Sequence, residues 1–241
     1  MFALKYKIWQ WGGPVGAGAM ESSFMAMAAV AKRANDGMPY AVASELVCAN
    51  LARVLRLPVP PSLIVEHDGA PYHVSLDFNL AGQALPPADG GALVAAHPHL
   101  AAGIVCFDAW IINPDRHNGN LAFDKSTGRV SLFDHSHAFL HGQDPKAWLM
   151  QQEPTLGIGG HCLASKLNDG RPTKEWVNRI KQVPEYFVRD LLRDAVEVGL
   201  PPDVADWAGE FLLARRDKLP ALLAASAAAF PNVPVEHLAN N

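Results

Sequence analysis

The sequence predicts an α+β fold in two lobes, strand-rich from residue 1 to about 80 and mainly helical from 81 to 241. Three observations lead there. The apolar residues of the first part fall in short runs punctuated by Gly, Pro and Asp-Gly, with a single stretch at helical spacing. Past residue 91 the apolar pattern lengthens to helical runs broken by one hairpin. Between them lies NLAGQALPPADGG, residues 79–91, whose Gly, Pro and Ala content with few large apolar side chains suits a connection between lobes.

Taken in order, residues 4–33 read as two strands around a glycine-rich loop, QWGGPVGAGAMESSF, with the second strand over 24–32. Pro39 stands ready for a first helical position, and Val42, Leu46, Val47, Leu51, Val54 and Leu55 follow at the spacing of an amphipathic helix. PVPPSLIVE and PYHVSLDF then predict two strands joined through Asp68-Gly69. Helices are expected over 97–112, 173–181, 184–198 and 202–225, the last broken at Pro220. NLAF and RVSLF form a hairpin around Lys125-Ser126-Thr127-Gly128, and the tail beyond Pro231 is expected to fray.

Composition narrows the function. Hydrophobic residues make up 49% and charged residues 18% of the 241, so the chain can bury a core and disorder is a poor description. A net charge of −4 gives no global electrostatic argument for nucleic acid; a local basic patch is left open, and no direct nucleic-acid binding is expected. Cys48, Cys106 and Cys162 are odd in number and widely spaced, which suits reduced thiols in a cytoplasmic protein. Lysines interrupt the N-terminal apolar residues, so no signal peptide is read there. The apolar stretch 92–112 carries His97, Pro98, His99 and Asp108, and so reads as a buried helix rather than a membrane span.

Chemistry concentrates in FDAWIINPDRHNGNLAFDKSTGRVSLFDHSHAFL, residues 107–140. Proline disfavours helical geometry in the residue before it, so a helix ends near Asn113-Pro114. The next six residues crowd five polar side chains into a loop. Asp115 and Asn120 are five apart, as in the Asp-x-x-x-x-Asn loop of phosphoryl-transfer enzymes. Asp134 follows Asn120 by fourteen residues, across a hairpin that returns it beside Asn120.

Asp115-Arg116-His117-x-x-Asn120 followed by Phe133-Asp134-His135-Ser136 resembles the DRHxxN and DFG-like elements of phosphoinositide lipid kinases and of HipA-like Ser/Thr kinases. The second group is the better fit. SELVCANLARVLRLPVPP, from Ser44 to Pro61, is similar to the helix and following strand of small HipA-like kinase domains, and FDHSHAF is similar to their IDHGxAF. The resemblance covers roughly residues 24–140. It implies a two-lobed protein-kinase-like fold with ATP and Mg²⁺ in the cleft, Asp115 as catalytic base, and Asn120 and Asp134 as metal ligands. His117 is a secondary catalytic candidate by the lipid-kinase version. Lys32, in an Ala-rich run, is the candidate phosphate-contacting lysine, and Glu45 the helix glutamate that would pair with it. Gly16 and Gly18 belong to a loop that could cradle phosphates through backbone N–H groups, though without GxGxxG spacing, and Ser22 or Ser23 could supply contacts instead. Adenine would meet backbone near residues 76–79. Arg116 reads as a structural anchor or phosphate contact. Ser136 stands where the family has glycine, and the chain is shorter than full-length HipA toxins. The resemblance implies a protein Ser/Thr hydroxyl as acceptor ahead of a small molecule or lipid, with an inhibitor or antitoxin protein as a partner.

Two other classes compete. A metal-dependent hydrolase would use Asp115, His117, Asp134, His135 and His137, with His135-Ser-His137 as ligands on one strand face. A catalytically silent kinase-like module would bind nucleotide or a protein without turnover.

Overall fold

The computed structural model describes residues 8–16, 22–78 and 87–238. Strands β1 (Ile8–Pro14) and β2 (Ser23–Met27) pair antiparallel, with Trp11 opposite Met25. The single strand expected over 24–32 is in fact split at Ala28. Its carbonyl accepts the N–H of Asp77 at 2.9 Å, which hands the chain from the first sheet to a second, where β3 (Ala29–Lys32) begins. That sheet has the order β3-β5-β4, with β4 (Ser62–His67) and β5 (Ala70–Leu76) joined by the expected tight turn. Asp68 at φ 51° and Gly69 at φ 69° are both left-handed, which matches the twist of a two-residue hairpin.

Helix α1 (Ala41–Val54) starts two residues beyond Pro39, its first turn closed by the Ser44 N–H on the Tyr40 carbonyl. Val47, Leu51 and Ala52 of α1 are fully buried and join one core that continues through the later helices. The connection is shorter than expected. Residues 90 and 91 already open helix α2 (Gly90–Ala96), capped by Asp89, whose carboxylate accepts from the N–H groups of Gly91 and Ala92. Pro98 then starts α3 (Pro98–Trp110), buried on every side from Ala101 to Trp110. The hairpin of β6 (Leu121–Asp124) and β7 (Arg129–Leu132) forms as expected.

Helix α4 (Pro145–Gln152) was not expected, although its start signal is plain: Asp144 caps it by accepting the Ala147 N–H, with Pro145 at the first position. Helices α5 (Arg171–Lys181) and α6 (Glu185–Val196) lie close to their expected ranges. In contrast to the expected break, α7 (Pro202–Ala225) runs straight through Pro220. Leu219 and Leu223, both buried, anchor the helix on either side and outweigh the one bond that proline cannot donate. The tail does not simply fray either: α8 (Val235–Leu238) buries Leu238 and packs on α5. Among the described residues no helix is long and apolar enough to cross a membrane.

Candidate active site

Helix α3 ends at Trp110, and the chain turns through Ile112 at φ 47° into Asn113-Pro114. The turn is locked from below. Asp108, fully buried, accepts from Arg116 Nε at 2.9 Å and Nη2 at 3.2 Å, from Asn113 Nδ2 at 3.0 Å, and faces His161 Nε2 at 3.1 Å. Burial pushes the Asp108 carboxyl up, but the Arg116 charge and the His161 hydrogen bond override it and hold the group well below the usual carboxylate range. Arg116 is therefore the structural anchor. Its Nη1 also donates to the carbonyls of Asn120 and Phe133, both at 2.6 Å, and so ties the loop after α3 to the residue preceding Asp134. Sequence reasoning counts His161 only among the histidines of the rival metallohydrolase and Asp108 only as a polar residue in the apolar stretch 92–112; the lone aspartate inside that run is a usable signal for the anchor they form with Arg116.

On that base, Asn120 Nδ2 donates to Asp115 Oδ2 and to the Asp115 carbonyl, each at 3.0 Å. Both amide donors thus serve Asp115, and the amide oxygen of Asn120 is the atom left for a cation. Asp115 is open to solvent, with 40% of its side chain exposed. His117 is more exposed still; its Nδ1 accepts the Gly119 N–H at 2.9 Å, which leaves the ring proton on Nε2, 4.0 Å from Asp115 Oδ1.

A second cluster forms where β3, α1 and the end of β7 meet. Lys32 Nζ lies 2.7 Å from Glu45 Oε1 and 2.6 Å from Asp134 Oδ1. Glu45 is buried and turns its other oxygen to His135 Nδ1 at 3.5 Å. Burial lowers the Lys32 ammonium, but the charge of Glu45 and hydrogen bonds to Asp134 and Glu45 prevail and raise it. Burial likewise raises Glu45, and His135 and Lys32 more than reverse this, leaving it far below its ordinary value. Asp134, at φ 60°, is also lowered: burial opposes, while Lys32 and the Ser136 hydroxyl, donating to Oδ1 at 2.7 Å, outweigh it. Ser44 Oγ donates to the His135 carbonyl at 2.7 Å, a second tie from α1 to this segment.

Together these elements wall a cavity of about 290 Å³, with Val30, Ala49, Val59 and Leu132 as apolar sides and Lys32, Glu45, Asp134, His73 and His135 as polar ones. Asp77 and Phe78, at the end of β5, line it as well, and Phe78 packs on Phe133 with ring centres 4.8 Å apart. Of the other expected contacts, Gly18 and Asn79 lie outside the described residues, and Gly16 does not line the cavity.

The histidine-rich metal centre is not assembled. Residues 133–140 form no strand; His135 is buried against Glu45 and Phe107, and His137 stacks near His141 instead. Among the described residues no group of three His, Cys, Asp or Glu side chains is placed to hold a metal. A site built from one carboxylate, one amide oxygen and nucleotide phosphates does not need such a group.

No sequence family matches the chain, and no curated protein matches it in sequence. Among solved structures it is similar to the Helicobacter pylori proinflammatory kinase CtkA, with a TM-score of 0.51 and 13% identity over 80% of this chain and 86% of that one. It is also similar to a chain of the Shewanella oneidensis MR-1 toxin–antitoxin complex of HipA, HipB and operator DNA, with a TM-score of 0.45 and 12% identity over 86% of this chain and 63% of that one. The mixed α+β architecture, with its small sheets and several helices, is a kinase-like fold.

Proposed function

We propose that this chain is an ATP- and Mg²⁺-dependent phosphotransferase of the HipA-like Ser/Thr protein kinase kind, with a nucleotide cleft between a lobe of residues 1–80 and one of residues 81–241. The observation that carries this reading is the Lys32 ammonium held between Glu45 and Asp134. A lysine fixed by a buried helix glutamate beside a metal-binding aspartate is the arrangement that grips nucleotide phosphates in kinases.

The residues present fit the cofactor. Asp134 and the Asn120 amide oxygen are hard donors suited to Mg²⁺. When bound, Mg²⁺·ATP supplies the transferable phosphoryl group and neutralises charge on it. Lys32 binds phosphate oxygens at the cleft wall. Adenine lies against the end of β5, near Asp77 and Phe78, which line the cavity. Asp115, aimed by Asn120, accepts the proton of a Ser or Thr hydroxyl on a protein acceptor, and His117 stands beside it to assist. Three free, buried cysteines accord with a cytoplasmic protein. An inhibitor or antitoxin protein is the expected partner.

The test is transfer from γ-labelled ATP with Mg²⁺, following self-labelling and free phosphate, with calorimetry of ATP binding alongside. Asp134→Ala is expected to weaken Mg²⁺-dependent nucleotide binding. Asp115→Ala is expected to leave binding nearly intact and to reduce transfer by about 100-fold or more. Equal loss of binding in both variants would contradict the assignment. ATP binding without turnover would make the chain a silent kinase-like module, and no ATP binding at all would end the kinase reading.

A further inference from the structure

The three-stranded sheet β3-β5-β4 has one face turned inward and one turned to water. Lys32 and His73, opposite each other in the β3–β5 register, line the cavity, and helix α1 packs on that same side. Side chains alternate along a strand, so Ala31, Val74 and Leu63, which face one another across the three strands, belong to the outer side together with Val65 and its partner Tyr72. Leu63 is 53% and Val65 39% exposed, and Ala29 and Ala31 are exposed as well.

The first sheet extends this surface. The Asp77 N–H on the Ala28 carbonyl carries the β3–β5 register one residue past Ala29, so the alternation runs on from β2 into β3. Met25 and Met27 therefore share the side of Ala29 and Ala31, and they bring their partners Trp11 and Ile8 with them. Trp11 is 62%, Met25 50% and Ile8 40% exposed. A sheet face left to water normally carries polar residues at alternate positions. No Asp, Glu, Lys or Arg occupies a strand position on this one.

The uncovered area is of the size that joins two proteins. With about 100–250 Å² for a whole side chain, the exposed fractions leave roughly 600–800 Å² of apolar surface, partly buried Tyr72, Val74 and Leu76 included. The largest apolar patch of a typical monomer is about 300–600 Å², whereas each partner of a standard interface contributes about 800 Å². A charged partner would find nothing on this face to pair with. A second copy presents the same flat, uncharged face, and two sheet faces pack with interdigitating side chains about 10 Å apart. A two-fold axis closes such an assembly at two copies, because each face is consumed by the other.

We propose that the chain forms a two-fold symmetric dimer in solution, in which the outer face of β3-β5-β4 and the adjoining side of β1 and β2 pack on the same surface of a second copy. That surface is turned away from Lys32 and the cavity, so the pairing stands independently of the phosphotransferase reading.

Sedimentation equilibrium of the full chain from about 1 to 100 µM reads its mass over the range in which interfaces of this size associate. Twice the mass of one chain is expected at the upper end. Leu63→Glu puts a charge on the outer face without entering the core, and is expected to raise the dissociation constant at least 100-fold with circular dichroism unchanged. Met25→Glu, on the other sheet, is the second variant should the first fail to fold. Labelled methionine methyl groups add a local readout: the Met25 and Met27 signals are expected to shift with concentration, and that of Met150, 65% exposed on α4, to stay in place. A chain that remains a monomer at 100 µM overturns the proposal, and flotation of that monomer with neutral phosphatidylcholine vesicles would assign the face to a lipid surface instead. A dimer that survives both substitutions, or that moves Met150 rather than Met25, has its interface elsewhere and overturns it equally. A mass that grows past two copies refutes closure by a two-fold axis.

Discussion

Replacing Asp108 by asparagine removes a charge and keeps the shape, which makes it the sharpest probe of what holds the candidate site. In the native protein, Asp108 and Arg116 are both at 0% side-chain exposure and joined through two N–H donors at 2.9 and 3.2 Å. Asparagine can accept one of those bonds but turns an amide N–H₂ toward the guanidinium or His161. Two charge-assisted bonds at about 1.5–3 kcal/mol each, or equivalently an uncompensated buried arginine, give an expected loss of about 3–5 kcal/mol. With a urea slope near 3 kcal/mol/M, the midpoint falls by roughly 1 to 1.7 M. The pH dependence sharpens the test. Because the folded Asp108 carboxyl lies well below the usual range, its contribution is fully present above the unfolded value of about 3.9 and fades as pH falls through the folded value. The gap between wild type and Asp108→Asn should therefore begin to close only below about pH 4 and go on narrowing as pH falls toward the folded value. Since Arg116 also holds the carbonyls before and within the site, phosphoryl transfer should fall with the loss of its anchor. A destabilisation below about 1 kcal/mol at pH 7 would refute the claim that this pair anchors the loop.

Lys32→Met should reduce transfer by about 100-fold or more, as expected for losing a preorganised charge at the phosphates. Its cost in stability should stay near 1–3 kcal/mol because Glu45 keeps His135 beside it, so assays well below the melting temperature separate the two effects. Gly103→Ala should destabilise by about 1–3 kcal/mol without touching the site. A Cβ there would lie 2.2 Å from Trp176 Cε2, and denaturant melts with unchanged Trp176 fluorescence would count against the packing described.

What the sequence disclosed and what it hid divide by range. Asp115, Asn120 and Asp134 were legible because loop and hairpin are local: proline closes the helix, and Lys125–Gly128 returns the strand. Helix α1 and the Asp68-Gly69 turn were legible for the same reason. The partners of Asp108 were not, since His161 lies 53 residues away. The break at Ala28 was hidden because it is made by Asp77, on a strand whose pairing no local pattern specifies. Pro220 misled because local propensity was overruled by the burial of Leu219 and Leu223. Lys32 in its run of alanines carried little local signal; only the β3–β5 register and the phase of α1 bring it to Glu45.

Ser136 illustrates how such a departure from a familial pattern can be read physically. A glycine after the aspartate would supply backbone freedom, but the left-handed residue here is Asp134 itself, at φ 60°, a conformation that aspartate tolerates better than most. The serine is thus released from a backbone role, and its hydroxyl donates to Asp134 Oδ1, the same oxygen that Lys32 contacts. Two donors on one oxygen fix the carboxylate and leave Oδ2 as the atom for a cation. Ser136→Ala should then leave folding within about 1 kcal/mol of wild type while raising the Mg²⁺ needed for half-maximal transfer by roughly 3- to 10-fold, the scale of one hydrogen bond to a half-buried charge. Ser136→Gly, which introduces the glycine of the HipA-like pattern, should behave like the alanine variant. A glycine variant with normal Mg²⁺ dependence beside an impaired alanine variant would show that backbone freedom, and not the hydroxyl, is what this position supplies.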